Sequence, residues 1–549
     1  MAFSSSSSLG SFNALPLSNE PFTTYGPNTS ERELLKQALK DVEAGAPYEV
    51  FPNVNGCDET GDLSETQCSP FKHSLVLAKY SHGTPELVSK AIKGALEAKK
   101  SWCRTSLHDR AAICYRAVGL LRGPYRYRML AATMLGQGKN AYQADIDCYA
   151  ESIDFLQTFP ALAEQLYKNQ PPFNAPNVWN RTEARPLDGF VYAVTPFNFT
   201  ALAVNLVMAP IIMGNVVIWK PSPGAIYSNY LFQQIMIEAG LPPGVLQFLP
   251  GDAELVTDVV LSSRELGGLH FTGSTAVFRS LSSKIGANMS FWRSYPRVVG
   301  ETGGKNFHLL HPTADVKNAA LKSVRAAFEY QGQKCSALSR IYVPESLAKE
   351  FKDIVAKEAD AIKMGSAFTD FMGPVISRSA FNRVSQYIKE AKSDSVVNIL
   401  AGGTFDDSEG FFIRPTVIET TDPKSKYMSE EIFGPFVCIY VYKDEDYGSG
   451  LFDLIESTTD YALTGAVFAK NRAAIIEATE GLRFAAGNFY INDQCTGAMP
   501  GQQPFGGSRA SGTNDKAGTA GLLTRFMSQR TIKENFSSIN NILYSSNLE

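Results

Sequence analysis

No lysine or arginine precedes Arg32, and the marked feature before it is the serine run Ser4 to Ser8. A secretory signal and a matrix-targeting helix both depend on basic residues, so neither pattern is present, and residues 1–40 are expected as a disordered or extended tail. Cysteine is sparse, with eight among 549 residues, at 57, 68, 103, 114, 148, 335, 438 and 495, and no CxxC pair. That spacing excludes a disulfide-stapled secreted fold and fits a reducing compartment. Histidine is scarcer still, six in all, and neither His308 nor His311 belongs to an HExxH or Cys/His cluster. No metal site is expected. Charge of either sign is also lacking in excess: a formal net charge of −4 and a pI near 6.0 provide no basic surface for nucleic acid.

Residues 201–219 form an uncharged run, but Asn205, Pro210, Gly214 and Asn215 break it. It reads as a buried helix, a turn and a strand from Val216 rather than a membrane span. A GxGxxG fingerprint after a strand is missing too, so an ordinary dinucleotide site is not written in the chain.

What is present is an α/β pattern long enough for more than one core. Thr84-Pro85-Glu86 is an N-cap, an N1 proline and a first-turn acid, and predicts a helix to about Lys100. Helical periodicity follows over 107–168, then a Pro/Asn-rich linker over 169–180. From 183 the texture alternates: strands at 189–194, 216–219 and 245–249, and after Lys305 a second series with strands at 307–310 and 340–343 and helices between them. Strand, helix, strand repetition predicts parallel sheets covered by helices. The tail from Leu522 reads as a strand and an extended arm that docks on a neighbouring subunit.

Two segments carry the chemistry: Glu301-Thr302-Gly303-Gly304-Lys305 and Gln331-Gly332-Gln333-Lys334-Cys335-Ser336. A carboxylate behind two glycines and a cysteine among small and polar residues suit thiol attack on a carbonyl and hydrolysis of the thioester. A free thiol has a pKa of about 8.5, so Cys335 needs dipoles or a cation to become thiolate, and Lys334 is one candidate. The oxyanion formed on attack needs donors, which the Asn198 amide and the Cys335 N–H can supply; otherwise Asn198 is a helix cap. Expulsion of hydride requires a nicotinamide acceptor. Gly273 and Ser274, in the turn Phe271-Thr272-Gly273-Ser274-Thr275, could meet a pyrophosphate at a helix N-terminus, or form a mere turn. Lys220, at the carboxyl edge of a strand, could hold ribose hydroxyls, or be a solvated turn lysine. Glu431 and Phe433, in Glu431-Ile432-Phe433-Gly434-Pro435, could hold a second ribose and back a ring. Gly497 and Ala498 belong to a glycine-rich loop pair, with Phe505, suited to an anionic group.

In this order, TPFNF, WKPS, FTGST, ETGGK, QGQKCS, EEIFGPF and PFGG over 195–507 strongly resemble the aldehyde dehydrogenase superfamily. Glu301 to His308, Gly332 to Ala337, Thr496-Gly497-Ala498 and Gln502 to Thr513 resemble, within it, the branch that oxidises L-glutamate γ-semialdehyde, the open form of delta-1-pyrroline-5-carboxylate, in proline breakdown.

The resemblance implies an NAD-binding domain over 41–305 interrupted by arm strands near 183–194, a catalytic domain over 306–495, and over 496–549 a return to the cofactor domain with a β oligomerisation arm. It implies Cys335 as nucleophile, Asn198 as oxyanion donor and Glu301 as base. Thr195, Lys220, Gly273, Ser274, Glu431 and Phe433 would contact NAD. Phe199, Lys334, Ser336, Gly497, Ala498 and Phe505 would line the substrate. A homodimer or higher homo-oligomer, a proline-oxidising partner and a mitochondrial matrix setting are implied as well, with the cytoplasm as the alternative.

Thr302 stands where the superfamily commonly has leucine, and Pro223 where many members place a ribose-binding glutamate, which leaves NADP as the weaker alternative to NAD. Two other readings remain: a dehydrogenase of succinate or methylmalonate semialdehyde, and a non-catalytic scaffold of the same fold.

Overall fold

The computed structural model describes residues 14, 15 and 17–548. Its first seven-stranded sheet runs in the spatial order Arg297–Glu301, Leu266–Thr272, Phe190–Val194, Val217–Lys220, Leu246–Phe248, with Asn53–Val54 and Cys57–Asp58 at the far edge. The five long strands are parallel. The order reverses between Phe190–Val194 and Leu266–Thr272, which opens a crevice at their carboxyl ends, the usual ligand position in such sheets.

The second seven-stranded sheet runs Val397–Ala401, Thr416–Thr420, Phe436–Tyr442, Leu338–Pro344, Asn306–Leu310, Thr464–Phe468, Asn488–Ile491. All its pairings are parallel except that of the edge strand Val397–Ala401. The chain passes from the first sheet to the second through Thr302, Gly303, Gly304 and Lys305 alone, from the carboxyl end of one strand to the amino end of the next. The carboxyl edge of one sheet is thereby joined to the amino edge of the other.

The apolar run forms the helix Thr200–Ile212, buried almost throughout, and the strand Val217–Lys220. Among the described residues no helix is long and apolar enough to cross a membrane. The helix predicted from Thr84 spans Pro85–Trp102, with the Thr84 hydroxyl accepting from the Leu87 N–H at 3.2 Å and Val88, Ala91, Ile92 and Ala95 buried.

Two expectations are corrected. Residues 30–40 are not tail: Ser30–Gly45 is a helix capped by Thr29 that buries Leu35 and Val42. The chain ahead of it is also tied down, because buried Glu20 accepts from the Tyr149 hydroxyl (2.8 Å) and pairs with Arg122 (2.6 Å). The run Ser4 to Ser8 lies outside the described residues. The segment 183–194, read as arm strands, divides in two. Val178–Pro186 pairs antiparallel with Met527–Asn535 as a two-stranded ribbon, whereas Phe190–Val194 lies inside the first sheet, four of its five residues buried.

Candidate active site

Cys335 sits on a loop whose backbone is forced. Tyr330, Gln331 and Gly332 all have left-handed φ, at 49°, 58° and 65°, a conformation that costs a non-glycine residue about 1–3 kcal/mol. Glycine is required at 332, where a Cβ would lie 2.3 Å from the Gly434 carbonyl. Side chains over-determine the turn: the Tyr330 hydroxyl donates to the Gln137 carbonyl (2.8 Å), and the Gln331 amide to the carbonyls of Gly138 (2.9 Å) and Pro374 (2.7 Å). Beyond the turn, the Asn306 amide donates to the carbonyls of Cys335 (2.7 Å) and Ala337 (2.8 Å) and accepts from the Thr464 N–H (3.0 Å). Cys335 is thus fixed by the two neighbouring strands of the second sheet.

Burial raises the Cys335 thiol pKa, and the carboxylates of Glu301 and Glu431 raise it further, against the backbone N–H groups of Ser336 and Cys335 itself. The resting group is a neutral thiol. Lys334 is not the cation that ionises it: its buried ammonium is taken up by Glu329 (3.5 Å) and Asp147 (3.9 Å). That ammonium stands 5.7 Å from the Phe199 ring centre, with Lys139 on the same ring at 4.4 Å. Asp147 reaches both lysines from the π-helical turn Asp145–Ala150 and also pairs with Lys139. Lys334 therefore stands behind the Phe199 wall as part of a buried charged cluster.

The buried Asn198 amide donates to the Gln333 carbonyl at 3.1 Å, two residues from the thiol, and its oxygen has no partner among the described residues. It does not act as a side-chain cap of the helix Thr200–Ile212. Glu301 ends the last parallel strand of the first sheet, and its Oε1 is buried without a partner among the described residues. Burial pushes its pKa up to about 8, with Lys516 opposing and Asp515 adding to the rise. The departure at 302 has a local role, since the Thr302 hydroxyl donates to the Ala510 carbonyl (2.5 Å) and its N–H to the Ser511 carbonyl (3.0 Å). Threonine pins the turn behind Glu301 in a way leucine cannot.

The residues expected to meet a cofactor gather at the crevice. Lys220, at the carboxyl end of its strand, is 5 % exposed and has no hydrogen-bond or ion-pair partner among the described residues. Burial lowers its pKa to about 8, with Asp252 opposing. An unpaired ammonium this buried fits diol oxygens of a bound ribose. The neighbouring Thr195 hydroxyl accepts from the Trp219 indole at 2.9 Å. Gly273 follows the strand Leu266–Thr272, where a Cβ would strike the Phe271 ring at 2.7 Å, and Ser274 caps the helix Thr275–Ala287. Ser274 thus has a structural task whether or not a phosphate binds there.

Across the crevice the Glu431 carboxylate accepts from the Gly304 N–H at 2.9 Å and rests on Gly303, where a Cβ would fall 2.1 Å from its Oε2. Phe433, also left-handed at φ 55°, packs edge-on against Phe197 at 6.1 Å. These groups fit a nicotinamide dinucleotide: an orphan cation and a helix N-terminus on one side, a carboxylate and an aromatic on the other.

Beside Cys335, the Ser336 hydroxyl shares a 2.7 Å hydrogen bond with that of Thr496, both buried. The loop that follows is set from behind by His308, whose Nε2 accepts from the Cys495 N–H at 3.2 Å. Burial holds His308 neutral, its pKa lowered to about 3. Gly497 has φ 89°, and among the described residues the N–H groups of Gly497 and Ala498 have no acceptor. Phe505 is half-buried and bridged to Ala517. Sequence reasoning gave no role to Asn306, Gln331 or Lys516. Each acts through the backbone of a distant segment, and the asparagine and glutamine lay inside motifs already in view.

The aldehyde dehydrogenase family model matches residues 59–532. The chain is 50% identical over 548 residues to the probable delta-1-pyrroline-5-carboxylate dehydrogenase of Schizosaccharomyces pombe, covering 98% of this chain and 100% of that one. It is 45% identical over 526 residues to the mitochondrial delta-1-pyrroline-5-carboxylate dehydrogenase of Homo sapiens, covering 95% and 92%. The crystal structure of the Delta-pyrroline-5-carboxylate dehydrogenase from Mycobacterium tuberculosis bound with NAD superposes with a TM-score of 0.93 at 42% identity, covering 98% of this chain and 99% of that one.

Proposed function

The chain belongs to the aldehyde dehydrogenase family, and we propose that it catalyses the NAD-dependent oxidation of L-glutamate γ-semialdehyde, the open form of delta-1-pyrroline-5-carboxylate, to L-glutamate. The observation that carries the substrate is the anchor beside the thiol: a hydroxyl pair, Ser336 and Thr496, followed by the two N–H groups of Gly497 and Ala498 that lack acceptors. Such donors suit an α-carboxylate, and Phe199 and Phe505 offer aromatic faces for the methylenes.

In this reading Glu301 takes the proton of the Cys335 thiol, and the sulfur forms a bond to the aldehyde carbon. The resulting oxyanion faces the Asn198 amide and the Cys335 N–H. NAD, when held by Thr195, Lys220, Ser274, Glu431 and Phe433, supplies the hydride acceptor that leaves a thioester on Cys335. Glu301 gives the thiol proton up to solvent and, again a carboxylate, takes a proton from water as the water oxygen bonds to the thioester carbon; the C–S bond breaks, the sulfur recovers a proton, and glutamate leaves. The name of the human relative supports a mitochondrial setting, and the ribbon with the exposed Phe536, Ile539, Ile542 and Tyr544 beyond it supports assembly of several copies.

Rates of NADH formation on glutamate, succinate and methylmalonate semialdehydes and on a simple alkyl aldehyde test this reading, with NADP run beside NAD. The highest kcat/KM is expected on glutamate semialdehyde with NAD, and preference for succinate semialdehyde overturns the assignment. Ser336→Ala should raise KM for glutamate semialdehyde about tenfold while changing that for propanal less than twofold, because a hydrogen bond to a charged group is worth about 1.5–3 kcal/mol and the alkyl aldehyde has no such group. Equal changes on both would remove Ser336 from the anchor.

A further inference from the structure

The segment that follows the glycine-rich loop runs back along the strand that ends in Glu301. The Thr513 N–H donates to the Gly300 carbonyl (2.9 Å), the Gly300 N–H to the Thr513 hydroxyl (3.1 Å), and Gly512 forms an antiparallel bridge with Glu301. Within this segment lies Lys516, whose ammonium donates to the carbonyls of Gly506 (2.5 Å) and Gly487 (2.8 Å) and to the Asn488 side-chain oxygen (3.2 Å). Three acceptors match the three protons of an ammonium; burial lowers the pKa of the group, and Glu301 opposes that by favouring its charged form. Gly506 stands between this lysine and the catalytic carboxylate: a Cβ there would fall 2.6 Å from Glu301 Oε1 and 3.3 Å from Lys516 Cδ.

Resting on the dehydrogenase reading, we infer that Lys516 is a positioning residue for hydrolysis of the acyl-enzyme: it clamps the Gly506 backbone against Glu301 and places a fixed positive charge that favours the proton-accepting form of that carboxylate. The charged and titratable groups facing Glu301 are few. Lys516 favours its ionised form, Asp515 opposes it, and the Cys335 thiol lies on the cleft side. Asp515 is partly offset by Arg525 at 3.4 Å and by the Thr513 hydroxyl at 2.6 Å. The lysine is therefore the cation that decides the balance. In the hydrolytic step a water proton passes to Glu301 while its oxygen bonds to the thioester carbon, and the sulfur leaves with the C–S electron pair. Lys516 keeps its own proton throughout.

The pH profile of kcat on glutamate semialdehyde and an infrared titration of the Glu301 carboxyl, without added cofactor and with Glu301→Gln as the subtraction reference, test the inference. Lys516→Met should move both midpoints up by about one unit, lowering kcat at pH 7 about tenfold with recovery toward pH 10. Lys516→Gln, which keeps an amide donor for the carbonyls, carries the same expectation and serves if the methionine variant does not fold. Lys516→Arg should hold the midpoint within about half a unit. A uniform loss of kcat at every pH, or unshifted midpoints in both neutral variants, overturns the inference. If the parent enzyme forms no NADH from glutamate semialdehyde, the substrate reading fails by itself, and the infrared titration still decides whether Lys516 sets the ionisation of Glu301.

Discussion

Cys335→Ala should lose at least about 10³-fold in kcat/KM for glutamate semialdehyde while binding NAD within about twofold of the parent protein. The size follows from the absence of a stand-in nucleophile. Cys495 lies nearby, but it is fully buried, its thiol donates to the Ser336 carbonyl at 3.6 Å, and burial raises its pKa to about 12. Retained NAD binding follows from geometry, since Lys220, Thr195 and Ser274 stand on the first sheet and Cys335 on a loop of the second. Mass spectrometry of the parent enzyme quenched during turnover should place an acyl adduct on the peptide containing Cys335. Substantial turnover in the alanine variant, or an adduct elsewhere, contradicts the mechanism.

That same loop shows how far the sequence could be read. Cys335 and Glu301 were legible because each stands in a short motif whose glycines have a local cause: Gly303 leaves room for the Glu431 carboxylate, and Gly332 for the Gly434 carbonyl. The alternation of strands and helices was legible where strands buried between layers are short apolar runs, as in Phe190–Val194 and Val217-Ile218-Trp219. Lys334 was misread because adjacency in sequence says nothing about which way a side chain leaves a left-handed turn. Its partners, Asp147 and Glu329, include a residue placed by a π-helical turn that no periodicity signals. The strand at 190–194 falls both to the parallel series and, by the resemblance, to the arm, because β-like runs on either side of Leu187 carry no mark of which sheet they join. Only the pairing of Val178–Pro186 with the distant Met527–Asn535 separates them. Lys516 was invisible for the same reason, since its three acceptors, Gly487, Asn488 and Gly506, are brought to it by tertiary contact.

Glu301→Gln should lower kcat at pH 7 by about 10²- to 10³-fold, the usual effect of removing a positioned general base. It should also erase the rise of kcat with pH, which in the parent enzyme has its midpoint near the carboxyl pKa of about 8. Stability changes in the opposite direction. The Glu301 pKa is raised from 4.5 to about 8 on folding, so between those values the folded state holds a proton that the unfolded chain has released. Stability then falls as pH rises through this window, because the unfolded state binds fewer protons than the folded one. Glutamine occupies nearly the same volume and cannot ionise, so the variant is exempt from this loss. Its Tm should lie close to that of the parent at pH 4.5, exceed it increasingly up to pH 8, and keep a constant margin above. Thermal melts at half-unit intervals would show this divergence, and two curves that stay parallel from pH 4.5 to 9 would mean that the Glu301 carboxyl ionises in the folded enzyme as it does in water.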